Sequence, residues 1–159
     1  MITVLQCVTD ARVDVGGRTT GKIGAGLLVF VAVEHGDSEL QVDRMLKRLF
    51  GYRVFPDHAG KMNLSLLDVQ GGMLLVPQFT LAADTSKGAR PSFTPAAAPA
   101  QGRLLFEYMI RSAGDHYGNV ASGQFGADMK VTLTNDGPVT FILHTTQEQL
   151  LWQLQNQKH

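Results

Sequence analysis

The chain has 159 residues, of which 44% are apolar and 18% charged, so it can bury one sizeable core and is not a disordered protein. Its 14 basic and 14 acidic side chains give a formal net charge of zero, which argues against a protein that coats long stretches of nucleic acid. Zero net charge does not exclude a protein that binds a short RNA end. The single cysteine, Cys7, excludes an internal disulfide and a metal site built from several cysteines.

Targeting and metal-binding signals are missing from the sequence. The first residues have no basic segment ahead of an apolar one, and the longest apolar run, residues 26–33, is too short to cross a bilayer. We therefore expect no secretion signal, no membrane partner and a cytoplasmic location. The five histidines have no metal-type spacing to one another or to Cys7, so we expect neither a metal nor a cofactor.

Apolar periodicity predicts an α/β chain. Alternation and β-branched runs predict strands over residues 2–15, 27–33, 53–55, 73–81, 120–125, 127–134 and 139–144. Gly16-Gly17 marks a hairpin turn after the first strand. Helical spacing predicts helices over residues 40–50, capped by Asp37 or Ser38 and ended by Gly51, and over residues 100–113.

The chain shows no internal repeat and no low-complexity linker, so we predict one domain over residues 1–145. Residues 82–99 form a long polar loop, a length that is usual for functional or mobile segments. A capping-box pattern starting at Thr145 and an apolar stripe of Leu150, Leu151 and Leu154 predict a helical tail over residues 146–159, packed on the same domain.

Two segments carry unusual residues for a purely structural role. The first, residues 77–81, ends an apolar strand with Pro77, which cannot donate to a central ladder, followed by polar groups. Its Thr80 is either a nucleophile or an ordinary strand threonine, since no neighbouring base can be identified. The second, residues 135–140, has the chemistry of a hairpin loop between two strands, and its Gly137-Pro138 backbone is a candidate recognition element.

These two segments, with further blocks spread over roughly residues 1–144, resemble the D-aminoacyl-tRNA deacylase family. The matching blocks are residues 24–28, 60–64, 78–81, 83–85, 87–88, 90–93, 125–130 and 135–140. The resemblance implies a single α/β domain in which mixed sheets form a barrel-like core flanked by helices. It also implies a homodimeric, metal-free hydrolase that cleaves the ester between a D-amino acid, or glycine, and the 3′-terminal adenosine of tRNA.

The resemblance also implies roles for site residues. Gly137-Pro138 of one subunit reaches into the pocket of the other, where its carbonyls hold the α-amino group and leave no room for an L side chain. An aminoacyl ester is already activated, so a placed water and backbone N–H groups near Phe79 and Thr80 suffice for hydrolysis. The implied catalytic segment is Gln78, Phe79 and Thr80, and the implied substrate-binding residues are Gly137, Pro138, Pro77, Phe125 and Met129.

Three residues depart from the usual family pattern: Cys7, Pro77 and Thr134 stand where Arg, Ser and an apolar residue are common. In the family, the Arg that Cys7 replaces lies close to the Gly-Pro loop and supports it. All three changes occur in an animal paralogue of relaxed chirality, in which the Gly-Pro bond is trans. We therefore predict a trans Gly137-Pro138 bond and a pocket that accepts a small L-residue. The alternative is neutral drift within an ordinary chiral proofreader.

Two functions of other classes remain open on sequence grounds. A non-catalytic RNA-binding protein of the same fold would use Lys87, Arg90 and Phe93 of the long loop. A small-ligand sensor would use the same pocket and bind a free amino acid without needing the adenosine.

Overall fold

The computed structural model describes residues 1–146, so the helical tail predicted over residues 146–159 lies outside the described residues except for its first residue. The strands are β1 (Ile2–Val15), β2 (Arg18–Ile23), β3 (Gly26–Ala32), β4 (Phe55–Pro56), β5 (Met62–Leu64), β6 (Gly72–Pro77), β7 (Val120–Ser122) and β8 (Met129–His144). The helices are α1 (Glu39–Gly51), α2 (Leu66–Val69) and α3 (Pro99–His116), with a 3-10 turn at Phe79–Ala82. No helix within residues 1–146 has the length and apolar content needed to cross a membrane.

The predicted first hairpin is confirmed. Val15 pairs with Arg18 across the turn, and Gly16 and Gly17 have φ angles of +56° and +80°. Two consecutive residues in the left-handed region are what a two-residue hairpin turn needs, and glycine adopts that conformation at little steric cost.

One sheet, nearly closed into a barrel, organises the chain. Its strands follow the order β2-β1-β3-β6-β7, and β8 pairs with β1 along nearly the whole of that strand. The β3–β6 and β6–β7 pairs are parallel, and the other pairs of this sheet are antiparallel. At the closing side a Cβ atom on Gly21 of β2 would lie only 2.4 Å from the Ser122 carbonyl oxygen of β7. The predicted α/β class with a barrel-like core is confirmed.

Helices α1 and α3 cover one face of this sheet. Ser38 caps α1, and its backbone N–H donates to the Gln41 side chain at 2.9 Å, as in a capping box. The main core lies between helices and sheet and includes Leu5, Leu27, Val29, Met45, Leu49, Leu75, Phe106 and Met109. A second cluster lies on the opposite strand face and comprises Val8, Ala11, Val13, Ile23, Leu28, Leu74 and Val76. Residues 27–29 divide between the two clusters because neighbouring side chains on a strand point to opposite faces.

Several predicted boundaries are wrong. Strand β6 ends at Pro77 rather than residue 81. The Gln78 N–H donates to the Val31 carbonyl at 2.7 Å as the last hydrogen bond of the β3–β6 pairing, and the chain then turns into the 3-10 segment. Helix α3 continues three residues beyond its predicted end, to His116. Strand β7 stops at Ser122, and the short strand expected at residues 53–55 is β4.

The two strands predicted over residues 127–134 and 139–144 are one strand, β8. Both halves pair with β1, since Asn135 is opposite Val8 and Thr140 is opposite Gln6. Residues 136–139 therefore form a bulged loop within one long strand, which we call the Gly-Pro loop, rather than a turn between two strands paired with each other. The hairpin interpretation is wrong because a long-range partner, β1, takes the hydrogen bonds that the two halves would otherwise exchange.

The Met1 ammonium group anchors the segment after β3. It donates to Glu34 Oε2 at 2.8 Å, to Asp37 Oδ1 at 2.9 Å and to the Thr145 carbonyl at 3.0 Å. Asp37 also accepts the Glu34 N–H at 2.7 Å. Burial raises the pKa of the Asp37 carboxyl above its ordinary value although the ammonium group opposes this.

Replacing Asp37 by alanine is expected to destabilise the fold. The change leaves the buried Met1 ammonium with one carboxylate fewer and should lower the free energy of unfolding by about 3 kcal/mol. Chemical denaturation measures this, with Asp10→Ala, at an exposed carboxylate, as the control expected to stay within about 0.5 kcal/mol. Equal stability of the two variants would show that the pairing of Asp37 with the Met1 ammonium group contributes nothing to the free energy of unfolding.

Candidate active site

A cleft of about 470 Å³ opens where the ends of β3 and β6 meet the start of α3. Most of its lining is apolar, contributed by sheet residues on one side and by α3 and residues 125–131 on the other. The lining residues are Val31, Val33, Val76, Pro77, Gln78, Phe79, Ala97, Pro99, Gly102, Phe106, Phe125, Gly126, Ala127, Asp128, Met129 and Val131. Such a concave apolar site with a few polar groups at its rim is typical of a small-molecule or nucleoside pocket.

Phe125 forms one wall and is held in place by α3. The Arg103 guanidinium lies 5.1 Å above its ring centroid, and the Phe106 ring centroid is 6.3 Å away. Gly102 is buried beside it, and a Cβ atom on Gly102 would lie 3.3 Å from Phe125 Cζ. The absent side chain at residue 102 therefore keeps this part of the cleft open.

The rim of the cleft is the turn after β6. The Gln78 side-chain amide donates a short hydrogen bond to Thr80 Oγ1. The first hydrogen bond of the 3-10 turn runs from the Leu81 N–H to the Gln78 carbonyl at 3.1 Å. The N–H groups of Phe79 and Thr80 come before this bond in the chain, so the turn itself gives them no acceptor. Phe79 is 56% exposed and contacts the exposed Phe93 ring, with 5.0 Å between centroids. The rim therefore presents neutral donors and aromatic surface.

Charge is nearly missing from the cleft. Among its lining residues within the described chain, Asp128 alone has an ionisable side chain, and that side chain is 86% exposed and lies 3.2 Å from Lys130 Nζ. No group of three His, Cys, Asp or Glu side chains within residues 1–146 is placed to hold a metal ion. Chemistry in this cleft would therefore depend on backbone and neutral polar groups of this chain and on the substrate itself.

The structure brings most of the predicted site residues together. Pro77, Gln78, Phe79, Phe125 and Met129 all line the cleft. Thr80 does not line it but is joined to it through the hydrogen bond with Gln78. The sequence analysis missed the contribution of α3, and the signal that could have indicated it was a glycine, residue 102, inside a predicted helix, where glycine costs stability unless packing requires it.

The Gly-Pro loop lies apart from the cleft of its own chain. Gly137 and Pro138 are exposed and do not line the cleft. Gly137 has a φ angle of +118°, and a Cβ atom there would lie 2.7 Å from Val139 Cγ2, so another residue type would strain the loop. Asn135 Nδ2 spans the loop base, donating to the Cys7 carbonyl at 2.9 Å and to the Val139 carbonyl at 3.1 Å.

The Gly137-Pro138 bond is cis. The prediction of a trans bond is therefore wrong, and the tolerance of a small L-residue, which depended on it, is withdrawn. That prediction attached the loop to the side chain of residue 7. In the structure, Cys7 is buried and its thiol faces the Val54 carbonyl at 3.6 Å, whereas the loop is held through the Cys7 backbone carbonyl, which any residue type supplies.

The Cys7 thiol is buried and does not line the cleft. Burial, with the nearby Asp136 carboxylate as a second cause, raises its pKa to about 11. The thiol therefore keeps its proton at neutral pH, and a thiol is a poor nucleophile compared with a thiolate.

Fold and cleft together define a small α/β protein with a nearly uncharged, apolar ligand cleft. A solved structure described as "c-Myc DNA Unwinding Element Binding Protein" superposes with a TM-score of 0.87 at 34% sequence identity, covering 92% of this chain and 99% of that chain. A D-aminoacyl-tRNA deacylase from Janthinobacterium sp. (strain Marseille) is 59% identical over 143 residues, which are 90% of this chain and 96% of the relative.

A second relative, the D-aminoacyl-tRNA deacylase of Nitrosococcus oceani, is 57% identical over 143 residues, covering 90% of this chain and 92% of the relative. The family model described as D-Tyr-tRNA(Tyr) deacylase matches residues 4–144. The chain belongs to the D-aminoacyl-tRNA deacylase family and is a hydrolase, as the resemblance in the sequence implied.

Proposed function

We propose that this hydrolase edits tRNA by releasing D-amino acids and glycine from the 3′-terminal adenosine, and that the reaction takes place in the cleft between β6 and α3. The observation that carries the proposal is the nearly uncharged, apolar cleft whose rim presents backbone and amide groups. A site of this kind suits a substrate whose ester is already activated and whose side chain varies from one substrate to the next. Recognition through groups close to the Cα atom serves both needs.

The chemistry that this cleft supports is direct hydrolysis. A water attacks the carbonyl carbon of the ester, the ester C–O bond breaks, and the ribose oxygen leaves as a hydroxyl with a proton from that water. Negative charge develops on the carbonyl oxygen, and the N–H groups of Phe79 and Thr80 are donors at the cleft rim that can stabilise it. Thr80 orients the Gln78 amide rather than attacking the ester, because no base lies within reach of its hydroxyl among the cleft-lining groups.

The proposed function needs a second copy of the chain. The Gly-Pro loop is exposed on one protomer, and we place it in the cleft of the partner, where its carbonyls meet the α-amino group and exclude an L side chain. The sheet face along β1 and β8 supports such a pairing. Ile142 of β8 is 62% exposed on this face. It is opposite Val4 of β1, which is opposite Phe30 of β3, and both of these neighbours are partly buried. An exposed apolar strand face of this kind is typical of a protein interface.

The long loop supplies candidate contacts to the RNA. Asp84 and Ser92 exchange backbone hydrogen bonds at 2.8 and 3.0 Å, which closes the loop between them. Lys87 and Arg90 lie exposed within it, and Phe93 follows beside Phe79 at the cleft rim. Cations near aromatic surface suit the phosphates and bases of a single-stranded 3′ end.

A deacylation panel tests the proposal. With one enzyme stock, D-Tyr-tRNA and Gly-tRNA are expected to lose their amino acid, whereas L-Tyr-tRNA and L-Ala-tRNA keep theirs. Binding of tRNA without loss of any ester would favour the non-catalytic RNA-binding alternative. Binding of free amino acids without ester loss would favour a ligand sensor. Rapid hydrolysis of L-Ala-tRNA would contradict the proposed exclusion of L side chains.

Replacing Thr80 separates orientation from nucleophilic attack. If Thr80 orients Gln78, Thr80→Val should lower kcat/KM by about tenfold, the effect of one lost hydrogen bond, and Thr80→Ser should match the parent. Single-turnover deacylation of D-Tyr-tRNA measures both variants. A loss of about a thousandfold or more in Thr80→Val, together with a covalent acyl-enzyme in the parent, would assign the attack to Thr80 instead.

A further inference from the structure

We propose that Asn135 is the positioning residue of the Gly-Pro loop, and that its side-chain amide sets how accurately the loop rejects L-aminoacyl esters in the partner's cleft. This inference rests on the proposed function, in which that loop enters the partner's cleft. It concerns a residue outside the cleft that contacts neither the substrate nor the reacting atoms.

The amide of Asn135 acts at the point where the loop leaves the strand pairing. Between the Gln6–Thr140 pair and the Val8–Asn135 pair, one residue of β1, Cys7, is opposite four residues of β8. The Asn135 Nδ2 atom donates across the strands to the Cys7 carbonyl at 2.9 Å and across the loop to the Val139 carbonyl at 3.1 Å. A single side chain therefore joins both ends of the loop to the neighbouring strand.

The other side chains beside the loop do not share this role. The Cys7 thiol faces the Val54 carbonyl on the core side, and the Gln6 amide reaches Thr140 Oγ1 at 3.1 Å, in an exposed contact between two side chains outside the loop. Asn135 is itself partly buried, so water competes less for its hydrogen bonds than at an exposed site.

The two acceptors restrict the residue that can stand at position 135. Both partners are backbone carbonyl oxygens, so the side chain must supply two N–H donors from one short stem, which asparagine does. Aspartate has the same shape but would set a carboxylate against two carbonyl oxygens. Leucine keeps the branching at Cγ, although it is larger, and supplies no donor, so these two variants remove the hydrogen bonds in different ways.

Loss of this anchor should act on selectivity more than on turnover. Asn135 does not line the cleft, to which β8 contributes only Met129 and Val131, so the geometry of the cleft should persist in the variants. A loop whose two ends are no longer joined can move away from the position that excludes an L side chain. The rate for L substrates then rises relative to that for D substrates, whereas a merely structural defect lowers both rates by the same factor.

The experiment compares Asn135→Asp and Asn135→Leu with the matched control Thr132→Ala, an exposed position on the same strand. Single-turnover kcat/KM for D-Tyr-tRNA and L-Tyr-tRNA and amide hydrogen exchange over residues 136–139 are measured on each full chain. We expect the ratio of D to L rates to fall by about tenfold in both Asn135 variants, with faster exchange in the loop. Thr132→Ala should match the parent in both measurements.

The Gly137→Ala/Pro138→Ala double variant, measured in parallel, separates the two proposals. If it changes the ratio of D to L rates and the Asn135 variants do not, the positioning role is overturned and the proposed function stands. If neither changes the ratio, the loop does not select and both proposals fail. Equal loss for both substrates, or failure of both Asn135 variants to fold, would also overturn the proposal, because Asn135 would then be a structural residue of the β1–β8 pairing.

Discussion

Two inactive variants of this deacylase are expected to restore activity to each other when they exchange subunits. The first, Gly137→Ala/Pro138→Ala, alters the Gly-Pro loop and leaves the cleft intact. It should lose about a hundredfold in kcat/KM, because misplacing a group that orients the substrate by about 1 Å has that effect. The second, Gly102→Leu, fills the cleft, since a Cβ atom at this position already lies 3.3 Å from Phe125.

In a mixed dimer, the intact cleft of the loop variant receives the intact loop of the cleft variant. Random exchange through a two-fold interface makes half of the dimers mixed, each with one complete site, so about a quarter of the parent activity should return. D-Tyr-tRNA deacylation after mixing measures this, with each variant incubated alone as the control. Mixed dimers that form, as detected by native mass spectrometry, but stay inactive would show that the loop does not act across the interface.

The largest effect on stability is expected for Gly26→Ala, at the start of the parallel β3–β6 pairing. Gly26 is opposite Gly72, and a Cβ atom on Gly26 would lie 2.0 Å from the Gly72 carbonyl oxygen and 2.6 Å from its nitrogen. Both are backbone atoms, so relief requires the two strands to separate. The free energy of unfolding should fall by about 3–5 kcal/mol, which lowers Tm by roughly 10 °C in a domain of this size.

Gly24→Ala is the matched control, since no atom lies within 4 Å of a Cβ placed there. Its Tm should stay within about 2 °C of the parent. Thermal unfolding followed by circular dichroism measures both variants. If Gly26→Ala had the same Tm as Gly24→Ala, the close approach of β3 and β6 would not be a requirement of the fold.

The proposed mechanism explains why so few ionisable groups line the site. In that mechanism the ester is already activated, so a placed water and backbone donors suffice, and backbone groups that meet the ester and the α-amino group act alike on every amino acid. The apolar walls around Phe125 and Phe106 would keep out water other than the attacking molecule, which strengthens the hydrogen bonds at the rim.

Elements whose signal is local were predicted well from the sequence. The Gly16-Gly17 turn has its own backbone chemistry, and the apolar stripe of α1 repeats at helical spacing, so both were placed within a residue or two. The rim segment was found as well, because Pro77 and the polar residues after it break the pattern of a buried strand. These features depend on neighbours within a few positions along the chain.

Features that depend on distant partners were predicted less well. The two strands expected after residue 126 are one strand because β1, more than a hundred residues earlier, pairs with both halves. Strand β6 ends where its pairing with β3 ends, after the hydrogen bond from Gln78 to Val31, and residues 73–81 alone do not reveal this. The prediction of a trans Gly137-Pro138 bond is wrong because it assumed that the loop needs an Arg side chain at residue 7, whereas Asn135 holds the loop through the Cys7 backbone carbonyl.

Sequence alone determined the α/β class, the family and five of the residues that line the cleft, Pro77, Gln78, Phe79, Phe125 and Met129, since each belongs to a local motif. Tertiary structure decided how those residues meet. It brought Gly102 and Phe106 of α3 against the rim of β6, left the Gly-Pro loop exposed and apart from its own cleft, and joined the ends of that loop through Asn135. The physical reason is that a cleft and a loop anchor are made by contacts between segments far apart in the chain, and local periodicity does not encode which segments meet.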